Sequence, residues 1–451
     1  MKYLSTRGRA PRLTFDDVLI GGLAPDGGLY VPERWPVLAE DLVHRAADLP
    51  YHELAVEVTW PFVEGSIERA AYERLVEDAY SRFDHPDVTP AVELANGLWV
   101  LELFHGPTHA FKDLALQLVG PLLEHELAQR GTTATILVAT SGDTGAAAIE
   151  AVRDREGIEI YVLHPEGRVS AFQRRQMTTV DSPNVHNLAV EGTFDDCQRI
   201  VKALFADAQL KERRRLTALN SINWARVMAQ TVYYVAAWAR LGGGPIAFTV
   251  PTGNFGNVYA GWVARRMGVP IRQLVIASNA NDMVTRWVRT GVLEPGEVVP
   301  TYSPAMDIQV PSNLERLLFE LVDRDGAAVA DLLAELDRGG RAEVGLDRQA
   351  GVAEVFDAAS FDDDATLAEM TRVNEQHGQL VDPHTAVGVA AARECRRDPT
   401  IPMVVLSTAH PVKFAEAVKA ATGTEAAPTE TDLPERLVHV RDEHEVREII
   451  S

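Results

Sequence analysis

Cysteine is nearly absent from this chain of 451 residues. Cys197 and Cys395 lie far apart, with no His or Cys beside either at metal-ligand spacing. That excludes a disulfide framework and a cysteine-based zinc site, so no metal is expected, and a reducing compartment fits. Positive charge is short as well: 43 Lys plus Arg against 65 Asp plus Glu leave a formal charge of −22. Nucleic acid needs a basic face, so that class of partner is excluded. The one dense basic run, Lys211-Glu212-Arg213-Arg214-Arg215, reads as a solvated helix face. Long apolar runs are missing too, so no membrane partner is expected. Lys2, Arg7, Arg9 and Arg12 are not followed by the apolar core of a secretory signal. The expectation is a cytoplasmic protein, monomer or homodimer, acting on a small molecule. Its length implies two or three domains, and 46% apolar with 24% charged residues suits a sizeable core.

Lysine is the scarcest cation, with six residues, at 2, 112, 202, 211, 413 and 419. Where a surface cation would do, the chain carries Arg. Lys112 departs from that habit in an apolar setting, between His109-Ala110-Phe111 and Leu114-Ala115-Leu116. A buried ammonium is either paired or deprotonated more easily than usual. The second case gives a nucleophilic amine able to form a Schiff base with an aldehyde. The first is a plain Lys112–Asp113 charge pair at a strand end.

Two further segments bear on that choice. Ala139-Thr140-Ser141-Gly142-Asp143-Thr144-Gly145 and Pro251-Thr252-Gly253-Asn254-Phe255-Gly256-Asn257 each follow a β-branched apolar run and lead into an Ala-rich helical pattern. Strand, glycine turn and helix start together hold an anion with backbone N–H groups and the helix dipole. One nucleophilic lysine with two anion cups is the parts list of a pyridoxal phosphate enzyme, one cup for the cofactor phosphate and one for a substrate carboxylate.

HGPTHAFKD (105–113), ATSGDTG, NSINWAR (220–226), TGNFGN and LSTAHP (406–411), in this order, resemble threonine synthases, more closely the longer bacterial and fungal branch. Residues 3–8 and 25–32 match that family's opening pattern, and the likeness extends to about residue 420. The resemblance implies an α/β fold of the type II pyridoxal phosphate class, like the tryptophan synthase β chain, with two parallel-sheet lobes and an N-terminal cap. It implies conversion of O-phospho-L-homoserine and water to L-threonine and phosphate, with pyridoxal 5'-phosphate on Lys112. A phospho-lyase or dehydratase on a related amino acid, and a non-catalytic metabolite-binding paralogue, are the alternatives.

Along the chain, residues 1–95 read as the cap, with helical periodicity from Pro50 to Ala79. Ser5, Thr6 and Arg7 come near the substrate if the resemblance holds. Residues 96–130 and 245–425 are expected to form the large lobe and 131–244 the small one, with a surface tail over 426–451. Alternating strands and helices over 135–210 predict a parallel sheet with ligands at the strands' carboxyl ends. Met228–Leu241 reads as a helix with one apolar face. The acidic stretch 320–375 reads as a solvated insertion. The polar loops 279–282 and 301–307 read equally as turn chemistry or substrate contact.

For the site, Lys112 is expected to carry the cofactor and shuttle protons. Gly253, Asn254, Phe255, Gly256 and Asn257 should cradle its phosphate, since the glycines admit close backbone approach. The resemblance places Thr408, just past a strand end, at the pyridine nitrogen, with Ser407 as second choice. Thr140, Ser141, Gly142 and Thr144 should take the substrate carboxylate. Asp143 cannot donate a hydrogen bond unless protonated, so its role toward the cofactor stays open. Ser221, Asn223 and Arg226 supply hydroxyl, amide and a planar fork for the substrate phosphate. The plainer reading of Arg226 is an inter-helix salt bridge. His105, His109, His384 and His410 read as core histidines, with a bridging proton role open to His105 or His410.

Overall fold

The computed structural model describes residues 1–425 and 433–451. Two sheets organise it. The large sheet runs in the order Phe356–Ser360, Ile271–Ser278, Ile246–Pro251, Met403–Ser407, Leu98–Glu102, Ala91–Ala95. Every neighbouring pair is parallel except the last, where Ala91–Ala95 turns back on Leu98–Glu102. The small sheet runs Val438–Val440, Val185–Val190, Ile158–Pro165, Ala134–Ala139, Leu216–Thr217, parallel throughout. Parallel strands covered on both faces must be apolar nearly end to end, and Ile246–Pro251 is buried at every position.

The cap begins with an antiparallel pair, Tyr3–Ser5 on Tyr30–Pro32. The periodicity over 50–79 resolves into two helices, Tyr51–Val63 and Arg69–Tyr80. They part at Gly65, whose φ of 87° a side chain would disfavour. Thr6 and Arg7 both bind Glu315, and the Ser5 hydroxyl donates to Asp26. Thr6 and Arg7 therefore tie the cap to helix Leu314–Leu321, and Ser5 closes a contact within the cap.

Three expectations are corrected. The stretch 320–375 is no solvated insertion: it delivers the edge strand Phe356–Ser360, and Met370 and Val373 are buried. The tail is more than a surface segment where it is described. Val438–Val440 extends the small sheet, and helix Glu443–Ile450 buries Val446 and Ile450; residues 426–432 lie outside the described residues. The helix expected over 228–241 starts at Trp224, ends at Arg240 and is buried on all sides from Trp224 to Ala239. It packs against helices Tyr51–Val63, Lys112–Gln129 and Gly256–Arg266, so this last part of 131–244 belongs with the large body.

Candidate active site

Lys112 is delivered by backbone pairing. The loop leaving Leu98–Glu102 runs beside the segment leaving Met403–Ser407. Leu103 N donates to Ser407 O (3.0 Å), Phe111 N to Thr408 O (2.9 Å) and His410 N to His109 O (3.0 Å). Lys112 is thus the first residue of helix Lys112–Gln129 rather than a strand end. Asp113 faces the other way. It accepts from the Thr108 N–H (2.8 Å) and hydroxyl (2.7 Å), and burial pushes its carboxyl up to about 6. The Lys112–Asp113 pair is therefore not what holds the lysine.

What holds it is Asp143, on the turn after strand Ala134–Ala139. Lys112 Nζ lies 3.4 Å from Asp143 Oδ2. The other carboxylate oxygen takes the Gln173 amide at 2.8 Å and sits 3.2 Å from Lys413 Nζ. Burial pushes the Asp143 carboxyl up, but Lys413, Lys112 and the amide outweigh it and hold it well below the usual carboxylate range. Lys112 is lowered, first by burial, with Asp143 opposing and Arg226 and Lys413 adding to the fall. Asp143 is thus an ionised counter-ion shared by two lysines.

The two lysines differ in kind. Lys413 Nζ donates to Thr108 O (2.6 Å) and Gln176 Oε1 (2.8 Å) and makes an ion pair with Asp143, so it is held by three partners. Lys112 has the one long contact among the described residues, which leaves its amine available.

The second cup forms where strand Ile246–Pro251 meets helix Gly256–Arg266. Phe255 turns the chain in the left-handed region, at φ 64°. A Cβ on Gly253 would stand 2.2 Å from the Ala305 carbonyl oxygen, which no side chain tolerates. The Tyr233 hydroxyl donates to Asn257 Oδ1 (2.5 Å), which fixes the amide, and the Tyr234 hydroxyl donates to the Asn257 backbone carbonyl (2.8 Å). Its Nδ2 is then left buried without a partner among the described residues. The carbonyl of Asn254 accepts from Asn313, whose side chain also reaches Ser221 O (3.1 Å). The NSINWAR turn is thereby joined to this cup.

Arg226 lies on that turn and is 3% exposed. It donates to Leu219 O (3.0 Å), its Nε has no partner, and burial lowers it to about 10. It forms no ion pair among the described residues, so the inter-helix salt bridge is not seen. An uncompensated buried guanidinium costs several kcal/mol, and an incoming anion would relieve it. Asn223 does not join the site. Its Oδ1 caps helix Trp224–Arg240, and its Nδ2 donates to Leu19 O in the cap.

In the first cup, the Thr140 hydroxyl oxygen accepts from Gly142 N and Gly145 N, both at 2.9 Å, and shapes the turn. Gly142 is required twice over, by its φ of 137° and by the Gln173 amide 2.5 Å from where a Cβ would stand. Ser141 and Thr144 are half-buried at the helix start. Past the Met403–Ser407 strand, the Ser407 hydroxyl is paired with Thr385 (3.0 Å). That leaves Thr408 as the hydroxyl at liberty. The polar loops at 279–281 and 301–307 satisfy one another, with Asn279 and Thr301 both donating to Asp307, and so brace Ala305 over Gly253.

Of the histidines, His384 is fixed between Asp382 (2.7 Å) and the N–H of Ala305 (3.3 Å). His105 pairs with Glu102 (2.8 Å), which raises it, and burial lowers both His109 and His410. Lys413, Gln173 and Asn313 were missed by sequence reasoning. For Lys413 the signal was present, since it is another lysine in a lysine-poor chain, set beside LSTAHP.

The donor set fits pyridoxal phosphate on three counts: an available buried amine, an orphaned amide N–H at a glycine cup, and a glycine whose Cβ has no room. Residues 83–335 match the family model described as pyridoxal-phosphate dependent enzyme, which places the chain in that class with its type II fold. Residues 2–80 match the threonine synthase N terminus and 385–450 the threonine synthase C-terminal family. A threonine synthase of Pseudomonas aeruginosa is 52% identical over 423 residues, 93% of this chain and 90% of that one. A crystal structure of pyridoxal-phosphate-bound threonine synthase from Brucella melitensis superposes with a TM-score of 0.96 at 46% identity, covering 100% and 98%. The yeast enzyme gives 0.93 at 37%, again covering 100% and 98%. The chain belongs to the threonine synthase family, and it is a pyridoxal-phosphate-dependent lyase.

Proposed function

We propose that this site converts O-phospho-L-homoserine and water to L-threonine and inorganic phosphate, with Lys112 as the catalytic amine. The observation that carries the reading is the pairing of an available, buried Lys112 with an unpaired buried guanidinium on Arg226. Gly253, Asn254, Phe255, Gly256 and Asn257 would hold the cofactor phosphate, with the Asn257 amide as one donor. Thr408 would serve the ring nitrogen with a neutral hydroxyl. When bound, pyridoxal phosphate supplies the electron sink for carbanion chemistry at the substrate's α- and β-carbons.

The remaining work falls to the chain. Ser141, Thr144 and the turn shaped by Thr140 and Gly142 orient the substrate carboxylate. Lys112, its proton held loosely by burial and by two neighbouring cations, removes a proton and returns it. Asp143 stays ionised throughout and fixes where that amine rests. Arg226 and Ser221 bind the substrate phosphate and stabilise it as it leaves. The setting is cytoplasmic, without nucleic acid or membrane. Among the described residues no helix is long and apolar enough to cross a membrane.

The test is phosphate release from O-phosphohomoserine with the amino-acid product identified, together with borohydride reduction and peptide mapping. Threonine and phosphate in equal amounts, with the label on the Lys112 peptide, are expected. A keto acid and ammonia would make the protein a dehydratase or phospho-lyase instead. A label on Lys413 would overturn the site assignment.

A further inference from the structure

Lys413 belongs to the large body, on the turn after strand Met403–Ser407, yet its ammonium lies wholly within contacts to other segments. It meets Asp143 and Gln176 of the small lobe and the Thr108 carbonyl of the lysine loop. Its side chain is fully buried, and the ring of Phe172 lies 5.9 Å away. We propose that Lys413 is a positioning residue for Lys112: it pins the small lobe's Asp143 to the large body, so that Lys112 faces a fixed carboxylate already matched in charge by another cation.

The charge count supports this. Around Asp143 stand Lys413, Lys112 and His384; around Lys112 stand Asp143, Arg226 and Lys413; around Lys413 stand Asp143, Asp113 and His109. If Asp143 had Lys112 as its sole partner, the pair would hold the proton on Lys112 and the amine would be a poorer base and nucleophile. Lys413 takes up that carboxylate, and its own charge further disfavours the ammonium of Lys112. Two hydrogen bonds and the ion pair to Asp143 hold its buried ammonium in place and leave it no part in the chemistry itself. Gln173 finishes the arrangement from the same small-lobe helix, Ala171–Thr178, which carries Gln176. One helix thus touches both ends of the Asp143–Lys413 pair, while the ion pair itself sets the geometry.

The inference rests on the role proposed for Lys112 but not on the identity of the substrate. The experiment uses the full chain stripped of cofactor with hydroxylamine. Trace acylation with acetic anhydride is followed across pH, and labelling of each lysine is read by peptide mass spectrometry. In the parent, Lys112 should label and Lys413 should stay silent over the same range. In Lys413→Met, Lys112 acylation near neutral pH should fall roughly tenfold or more, the order expected from one charge lost beside a buried amine, and recover at high pH. Lys413→Arg should restore most of the labelling. Gln176→Met loosens the contact without removing charge and should change it little. Equal labelling of Lys112 and Lys413 in the parent would overturn the proposal without recourse to a variant. So would an unmoved profile in Lys413→Met, or a change of the same size in Gln176→Met, which would make the effect one of packing. Failure of the Lys112 reading itself would show separately, as borohydride label on another lysine.

Discussion

At the scale of single residues, the site is a small excess of positive charge kept inside an acidic protein. Lys112 and Lys413 face one ionised carboxylate, Asp143, and Arg226 stands near Lys112, while the whole chain carries −22. The long-range field would repel a dianionic phosphate, so attraction has to come from groups close enough to escape screening. Arg226 is the one whose charge has no internal partner among the described residues. Removing a charge-assisted partner from a desolvated phosphate costs several kcal/mol. Arg226→Ala should therefore lower kcat/KM for O-phosphohomoserine by roughly a hundredfold or more, since each ~1.4 kcal/mol is tenfold. Turnover of unphosphorylated serine or threonine should change much less. Cofactor retention decides which phosphate the guanidinium serves. If the variant loses pyridoxal phosphate and both substrates suffer alike, Arg226 holds the cofactor, and the substrate phosphate binds elsewhere.

At the scale of elements, the site is assembled where two strand–turn–helix units meet the lysine loop. The second cup works because the loop at 301–307 closes over it and brings the Ala305 carbonyl against Gly253. The two glycines of that cup therefore differ in what they tolerate. At Gly253 a methyl meets a backbone oxygen at 2.2 Å, whereas at Gly256 the nearest atom is the Asn313 amide at 3.3 Å. Gly253→Ala should push the 301–307 loop away and weaken cofactor binding at least about tenfold, or ~1.4 kcal/mol. Gly256→Ala should keep near-parental retention. Cofactor release followed by absorbance on dialysis measures both, and equal behaviour of the two variants would mean that the turn is not the phosphate cup. This cup was legible in the sequence because its glycines, the preceding β-branched run and the following helix are adjacent in the chain. The places of Lys413, Asn313 and Gln173 in the site were not, because each reaches it from a distant segment and nothing in its own neighbours says which loop it meets. Asn223 shows the converse. Its motif matched the family, but an asparagine before a buried helix is a cap, and here the cap also ties down the N-terminal segment.

At the scale of the molecule, the small lobe is finished by residues 438–451, which composition alone reads as a surface tail. The Thr-, Glu- and Pro-rich stretch after Gly423 hides a short alternating run, Val438-His439-Val440, too brief for periodicity to register. It pairs parallel with Val185–Val190 at the sheet's edge, and helix Glu443–Ile450 then packs on helix Phe194–Ala206. Val440, Val446 and Ile450 join a core with Leu188, Val190, Cys197, Ile200 and Leu204. Each such side chain is worth about 1.5–3 kcal/mol when fully buried, so the segment contributes several kcal/mol to a lobe of modest size. Cys197 reports on this core, since it is fully buried and burial pushes its thiol up to about 12. A chain ending at residue 436 should unfold at a lower temperature, and Cys197 should become reactive toward a thiol reagent at neutral pH. Lys112 and the GNFGN cup lie on the large body, so cofactor should still bind. Binding of substrate should weaken more than binding of cofactor, because the loop at 140–144 hangs from the destabilised sheet. Unchanged thiol reactivity together with an unchanged melting temperature would show that the terminal strand and helix do not hold the small lobe together.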